Sequence, residues 1–215
     1  MSAQTKERQI TRTEDHDDDV VRLPRRTIDR LLIAFGVIAA AVFVVAGGLL
    51  TWGANFSNDY VHDELASQNI FFPEKADLEA EGRDDLVKYA GEQVTTGDEA
   101  EAYASFIDGH LQGIADGKTY AEIDDRGAAA KVTAAKEAGA DEEEIAELQA
   151  TADQLKVQRD TLFKGETLRG LLLSSFAWST IGRIAGIAAL VAFAGAAVMA
   201  ALTLAGVVHL KRTTV

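Results

Sequence analysis

The residues best suited to chemistry in this 215-residue chain are an acidic run near its N-terminus and four histidines. The run Glu14–Asp19, which includes His16, offers carboxylate and imidazole ligands to a metal ion. It lacks the spacing and the glycine that a calcium loop requires, so we interpret it as a solvated charge run. The other histidines are His62, His110 and His209, and no HExxH pattern includes any of them. The sequence therefore predicts no metal site.

Nucleophilic and phosphate chemistry have equally little support. The chain contains no cysteine, so it offers neither a thiol nucleophile nor a disulfide. Gly117–Thr119 reads Gly-Lys-Thr, but a phosphate-binding loop needs a further glycine upstream and a preceding strand. His110 follows Phe106 by four residues on an apolar stripe, which favours a packing role. We predict that the protein is not an enzyme and binds no cofactor.

Two long apolar runs, Leu31–Trp52 and Ile184–Val208, bracket a polar middle. Each run is long enough to cross about 30 Å of hydrocarbon at about 1.5 Å per helical residue. We predict an all-α membrane protein, with a two-helix transmembrane hairpin over 27–54 and 181–210 and a helical domain inserted between the spans. A cleaved signal peptide is the alternative interpretation of the first run, although that run exceeds the roughly 7–15 apolar residues of a signal peptide.

The distribution of positive charge predicts the orientation. Lys and Arg next to a span tend to stay on the cytoplasmic side; here they precede the first run and follow the second, whereas Asn55–Glu64 has none. We predict a plasma-membrane protein with a disordered cytoplasmic tail over 1–26, an extracytoplasmic domain and stalk over 55–180, and a cytoplasmic C-terminus over 211–215. The expected topology anchors are Arg25, Arg26, Arg30, Trp52, Trp178, Arg183, Lys211 and Arg212.

The middle of the chain carries the negative charge. It has 27 acidic and 12 basic residues between Gly53 and Arg183, within a chain of net charge −13. This composition excludes nucleic acid as a partner, because phosphate binding needs a basic surface. The apolar content of the middle is small for its length, so we expect the domain to depend on its own spans or on a partner for stability.

Helical periodicity continues outside the two runs. Trp52, Phe56 and Tyr60 recur every four residues and predict that the first helix extends beyond the membrane towards Pro73. From Asp141 to Leu210 the pattern predicts nearly continuous helix, in which a coiled-coil-like seam leads into the second span. The seam consists of Ile145, Leu148, Ala152, Leu155, Arg159 and Leu162.

Five segments carry a resemblance to a known family: SQNIFFPEK (Ser67–Lys75), KYAGEQV (Lys88–Val94), AYASFIDGHL (Ala102–Leu111), GKTYAEI (Gly117–Ile123) and TLFKGETLRGLLL (Thr161–Leu173). Over about half of the chain they resemble an actinobacterial family of two-span membrane proteins of unknown function. Its members are sometimes labelled as a subunit of an aromatic-ring-opening dioxygenase. We interpret that label as misapplied, because this chain offers no histidine-carboxylate cluster to hold iron. The resemblance implies a topology and no activity.

Small residues in the second span are candidates for a helix contact. Gly182 and Gly186 form a GxxxG pattern, which lets two helix backbones approach closely. This face could pack against the first span, through Gly36 and Ala40 or Gly47, or against another protein.

Two further pairs are candidates for interaction. Glu166 and Arg169 lie in the last of the family-like segments, where they contact a partner or a lipid headgroup, or only anchor the helix at the interface. Phe71 and Phe72 follow the first helix; we favour a role in filling the core of the domain over a contact with lipid or a partner.

These features favour a non-enzymatic accessory or scaffold subunit of a cell-envelope complex. Its expected partners are the lipid bilayer and either a membrane protein or further copies of the chain. An extracytoplasmic sensor or ligand-binding membrane protein is the second hypothesis, with a signal passing along the second helix. An enzyme or metal-dependent oxygenase is the third.

Overall fold

Every regular element in the described part of the chain is helical, as the sequence predicts. The computed structural model describes residues 24–212. The elements are α1 (Arg25–Ser67), α2 (Lys75–Ala80), a 3-10 helix (Asp84–Tyr89), α3 (Gly97–Ile114), α4 (Asp125–Ala138) and α5 (Glu142–Arg212). The acidic run Glu14–Asp19 and most of the predicted tail lie outside the described residues. Arg25 and Arg26, which we assigned to that tail, are the first residues of α1.

Both apolar runs lie in helices that are long and apolar enough to cross a membrane. Of the most apolar stretch of 18 residues, 11% is buried in α1 and 17% in α5. A helix in the core of a soluble protein would be mostly buried, so these exposed apolar surfaces favour membrane spans. The spans are segments of helices of 43 and 71 residues. In place of the predicted two-helix hairpin, the structure has two long helices that each extend beyond the span.

The first helix ends earlier than its periodicity predicts. It stops at Ser67, and Asn69 adopts a left-handed conformation with φ of 52°. Asparagine tolerates this conformation better than most residues, which lets the chain turn before Pro73 is reached. The main chain of the next segment then pairs with a distant one: Phe72 N donates to Glu92 O at 2.9 Å, and Val94 N donates to Ile70 O at 2.9 Å.

The last helix confirms the prediction of continuous helix through the seam and the second apolar run. It begins at Glu142, after the left-handed Gly139 that ends α4, and extends to Arg212. The Asp141 carboxylate accepts a hydrogen bond of 2.8 Å from Glu144 N, which caps the first turn. The glycines within α5 do not interrupt it.

The described residues divide into two compact units, a larger one over Val42–Gly195 and a smaller one that joins the residues up to Ala41 with those from Ala196 onwards. The core of the larger unit has three clusters of buried residues. The first consists of Val61, Leu65, Phe72, Val94, Ala100, Ala104 and Leu172; the second of Leu111, Ala115, Ile123 and Leu162; the third of Leu78, Leu86 and Phe106. Since α5 contributes to the first two clusters and α3 to all three, these helices form the framework of the unit.

In the smaller unit, α1 and α5 meet through small residues. A Cβ atom added to Gly36 would overlap the Thr203 hydroxyl, and one added to Gly206 would lie 3.4 Å from Ile33 Cγ1. As the residue numbers fall along α1 they rise along α5, so the two segments run antiparallel. A groove of about 250 Å³ beside this contact includes Asp29 and His209 in its lining.

Candidate interaction surface

The GxxxG glycines lie against the first helix. A Cβ atom added to Gly182 would lie 3.0 Å from Ser57 Cβ and 3.1 Å from Asn58 Oδ1, and one added to Gly186 would lie 3.8 Å from Ala54 Cβ. Ser57 is buried, with 4% of its surface exposed. Its hydroxyl donates a hydrogen bond of 2.6 Å to the main-chain oxygen of Trp178. Glycine at 182 therefore allows α1 and α5 to approach closely enough for a side chain to main chain hydrogen bond.

The glycines of α1 show the same pattern of contact. Gly47 is buried, and a Cβ atom there would lie 2.9 Å from the Phe193 ring. On the other helix, Gly195 has the Phe43 ring 3.6 Å from the position of a Cβ atom. Each phenylalanine thus fills the space that a glycine leaves on the opposite helix, which is how small residues permit close packing.

The first turn of α3 rests on α5 beside this contact. Gly97 lies against Phe176 and Ser179, and a Cβ atom at Gly97 would overlap Ser179 Cβ. Asp98 forms an ion pair with Arg183, with 2.8 Å between Oδ1 and Nη2. Arg183, which we predicted as a topology anchor, therefore also contacts α3.

Glu166 and Arg169 contact each other, and Arg169 also contacts α3. Arg169 Nη1 lies 3.2 Å from Glu166 Oε2, and Arg169 Nε lies 3.4 Å from Asp108 Oδ1. Arg169 is 14 residues before Arg183 on the same helix, which corresponds to about 21 Å along its axis. The Glu166 and Arg169 side chains are both partly exposed. They can therefore make further contacts in addition to the ion pair of Arg169 with Asp108, which joins α5 to α3.

The two adjacent phenylalanines have opposite environments. Phe72 is 3% exposed and packs between Tyr89 and Tyr103, at centroid distances of 5.1 and 5.2 Å. Phe71 is 53% exposed. Successive side chains of an extended segment point in opposite directions, so the same backbone that buries Phe72 leaves Phe71 on the surface.

A groove of about 290 Å³ lies between the last turns of α1 and the middle of α5. Its floor consists of the buried residues Val61, Leu65 and Leu172, and its rim consists of the exposed residues Tyr60, Leu168, Leu171 and Trp178. Sequence reasoning did not identify this groove. The available signal was the three-four spacing of Leu168, Leu171, Ser175 and Trp178, which is a heptad pattern on a face of α5 that differs from the predicted seam.

Aromatic side chains continue from the groove along α1. Tyr60 stacks on Phe56, which stacks on Trp52, at centroid distances of 6.2 and 5.8 Å. All three rings are more than half exposed. The remaining predicted anchors are also exposed, and they are Arg25, Arg26, Arg30, Trp178, Lys211 and Arg212.

The histidines are dispersed within the described part of the chain. His110 Nδ1 lies 3.1 Å from Phe106 O, and its Nε2 lies 3.4 Å from Glu81 Oε2. The His110 ring also packs on the Phe106 ring, at a centroid distance of 4.5 Å. Among residues 24–212, no group of three or more His, Asp or Glu side chains is placed to hold a metal ion.

The described residues thus define an all-helical protein with two helices that are long and apolar enough to span a membrane. Comparison of the chain with models of protein families, with curated proteins and with solved structures found no match.

Proposed function

We propose that this chain is an integral protein of the plasma membrane that presents its helical middle region outside the cytoplasm. The spans would form an antiparallel hairpin over 27–54 and 181–210, with the region 55–180 extracytoplasmic and both termini cytoplasmic. The proposal includes membership of the two-span actinobacterial family that the chain resembles. The exposed apolar surfaces of α1 and α5 support the membrane location, and the flanking arginines and lysines support the orientation.

Within that location, we propose a non-enzymatic role as an accessory or scaffold subunit of a cell-envelope complex. The observation that carries this proposal is the continuity of α5, which holds Leu162 and Leu172 in the core of the middle region and then continues through the second apolar run. A single uninterrupted helix thus connects the middle region directly to the second span. Such a connection suits a protein that holds a partner at a defined position near the membrane.

A sensor is the second candidate, and the same continuity favours it. A ligand that shifted the external unit would move α5, and the helix would transmit that movement towards the other side of the membrane. Detection of a ligand that alters labelling at the C-terminus would favour the sensor over the scaffold.

Cysteine labelling in intact cells tests the topology. The chain has no cysteine, so Ala121→Cys and Thr213→Cys each introduce a single thiol. We expect a membrane-impermeant maleimide to label Ala121→Cys in intact cells and Thr213→Cys only after permeabilisation. The reverse pattern would contradict the orientation, and recovery of the chain in the soluble fraction would contradict the membrane location.

Purification in mild detergent followed by mass spectrometry tests the role. A scaffold subunit should be recovered with stoichiometric companions, either other membrane proteins or further copies of itself. Recovery only as a monodisperse monomer would count against this role. Stoichiometric iron in the purified protein would instead support the oxygenase hypothesis.

A further inference from the structure

The part of the groove around Leu168 and Leu171 lies beyond the predicted outer surface of the membrane. On the proposed topology, on which this step rests, the ion pair of Asp98 with Arg183 cannot enter hydrocarbon, so it sets the upper limit of the apolar layer. Leu171 is 12 residues before Arg183, or about 18 Å along α5. The headgroup layer on one side is about 5–8 Å thick. Leu171 and the neighbouring Leu168 therefore face water, where no lipid chain can cover them.

An exposed leucine alone is ordinary on a protein surface, but this apolar set is concentrated around one groove. Leu171 is 64% exposed, and Tyr60 and Trp178 are about half exposed on the same rim. The buried floor provides an apolar recess directly beside these projecting side chains. The face thus has both a ridge and a cavity, as a self-complementary contact between two identical surfaces requires.

Charge determines which partner fits this face. The middle of the chain has 27 acidic and 12 basic residues, so two copies repel each other over most of their surface. Among the described residues that line the groove, Glu64 is the one charged side chain, and it is exposed at the edge. A basic partner would bind more strongly to the acidic surface outside the groove. A second copy is itself acidic, so it can approach without repulsion only through a nearly neutral face.

We propose that the groove is the contact surface of a homodimer, in which Leu171 and its neighbours on the rim of one copy enter the groove of the other. Both copies have the same orientation in the membrane, and the twofold axis is perpendicular to it. Glu64 stays at the edge of the contact, where the hydroxyl groups of Tyr60 and Ser174 can donate hydrogen bonds to it.

Disulfide cross-linking in membranes tests the dimer. Because the chain has no cysteine, Leu171→Cys places a single thiol on the rim, so a disulfide can form only between molecules. Val157→Cys is the matched control, because Val157 lies on the same helix with the same 64% exposure but outside the groove. We expect oxidation to convert the Leu171→Cys chain to a reducible species of twice 23.0 kDa, and to leave the Val157→Cys chain as a monomer.

A disruptive variant gives a second measurement. Leu171→Asp should convert the detergent-solubilised dimer to a monomer while the helical circular dichroism is retained, and Val157→Asp should leave the dimer intact. The proposal is overturned by a monomeric wild type, by a dimer that resists Leu171→Asp, by equal cross-linking of both cysteine variants, or by a disulfide to a different protein. A membrane-bound chain without the cross-link overturns only the dimer, whereas a chain in the soluble fraction overturns the proposed function.

Discussion

The hydroxyl of Ser57 on α1 donates a 2.6 Å hydrogen bond to the main-chain oxygen of Trp178 on α5. The two residues are 121 positions apart, and Ser57 is almost completely buried. The bond lies at the contact between the two long helices, next to Gly182. It therefore fixes the register of α1 against α5 at this point of contact.

Loss of this hydroxyl should destabilise the protein by a modest amount. We expect Ser57→Ala to lower the free energy of unfolding by about 0.5–1.5 kcal/mol, the usual net value of one hydrogen bond. Ser67→Ala is the control, since the Ser67 hydroxyl bonds to Glu64 O at an exposed position. Denaturant unfolding of both variants in the same detergent, followed by circular dichroism, measures the difference. An equal loss in the two variants would show that the buried bond has no special role.

Enlargement of Gly182 should disturb the same contact. In Gly182→Ala, the new methyl group must displace Ser57 or Asn58, and we expect a loss of about 1–3 kcal/mol from overpacking. Gly170→Ala on the same helix has open space around its Cβ position. This control should be neutral or gain up to about 1 kcal/mol, because alanine favours helix over glycine. Opposite signs for the two substitutions in thermal unfolding would support close approach of the helices at residue 182.

The start of α3 is stabilised by a capping box, which lies outside both predicted spans. Thr96 Oγ1 accepts a hydrogen bond from Glu99 N, and the Glu99 carboxylate accepts one of 2.9 Å from Thr96 N. Thr96→Ala should cost about 0.5–2 kcal/mol of stability. Thr133→Ala, at an exposed position within α4, is expected to change stability by about 0.5 kcal/mol or less. A negligible effect at Thr96 would mean that packing of Gly97 on α5 suffices to begin the helix.

Local patterns predicted the features of this fold that depend on neighbouring residues. The continuous α5 follows from uninterrupted helical periodicity, and its buried Ala152 and Leu162 belong to the predicted seam. The end of α1 was misplaced, because the left-handed conformation of Asn69 stops the helix before proline does. No periodicity identifies a single residue that will adopt such a conformation.

The contacts that define the candidate surface could not be predicted, because they join distant parts of the chain. The pair of Arg183 with Asp98 spans 85 positions. The groove exists only because Val61, Leu65 and Leu172 pack together and leave Leu171 outside. A heptad pattern reveals that a face is apolar, but the tertiary fold determines which apolar faces remain exposed.

The turn before α4 gives the protein an acid-sensitive contact. The Thr119 N–H and hydroxyl donate hydrogen bonds of 2.8 and 2.9 Å to the Glu122 carboxylate. These bonds favour the ionised form and lower the pKa of Glu122 below its ordinary value of 4.5. A lowered pKa in the folded state means that the stabilisation is present above the unfolded pKa and is lost as the pH falls through the folded one.

Glu122→Gln should therefore flatten the acid limb of the stability profile. The difference in unfolding midpoint between wild type and variant is expected to be largest at neutral pH and to shrink below about pH 4.5. Thr119→Val removes the hydroxyl donor but keeps the N–H, so it should give an intermediate profile. Chemical unfolding of all three proteins between about pH 7 and 3 measures these differences. Since the other carboxylates are common to all three, a difference that stays constant with pH would exclude titration of Glu122 as its cause.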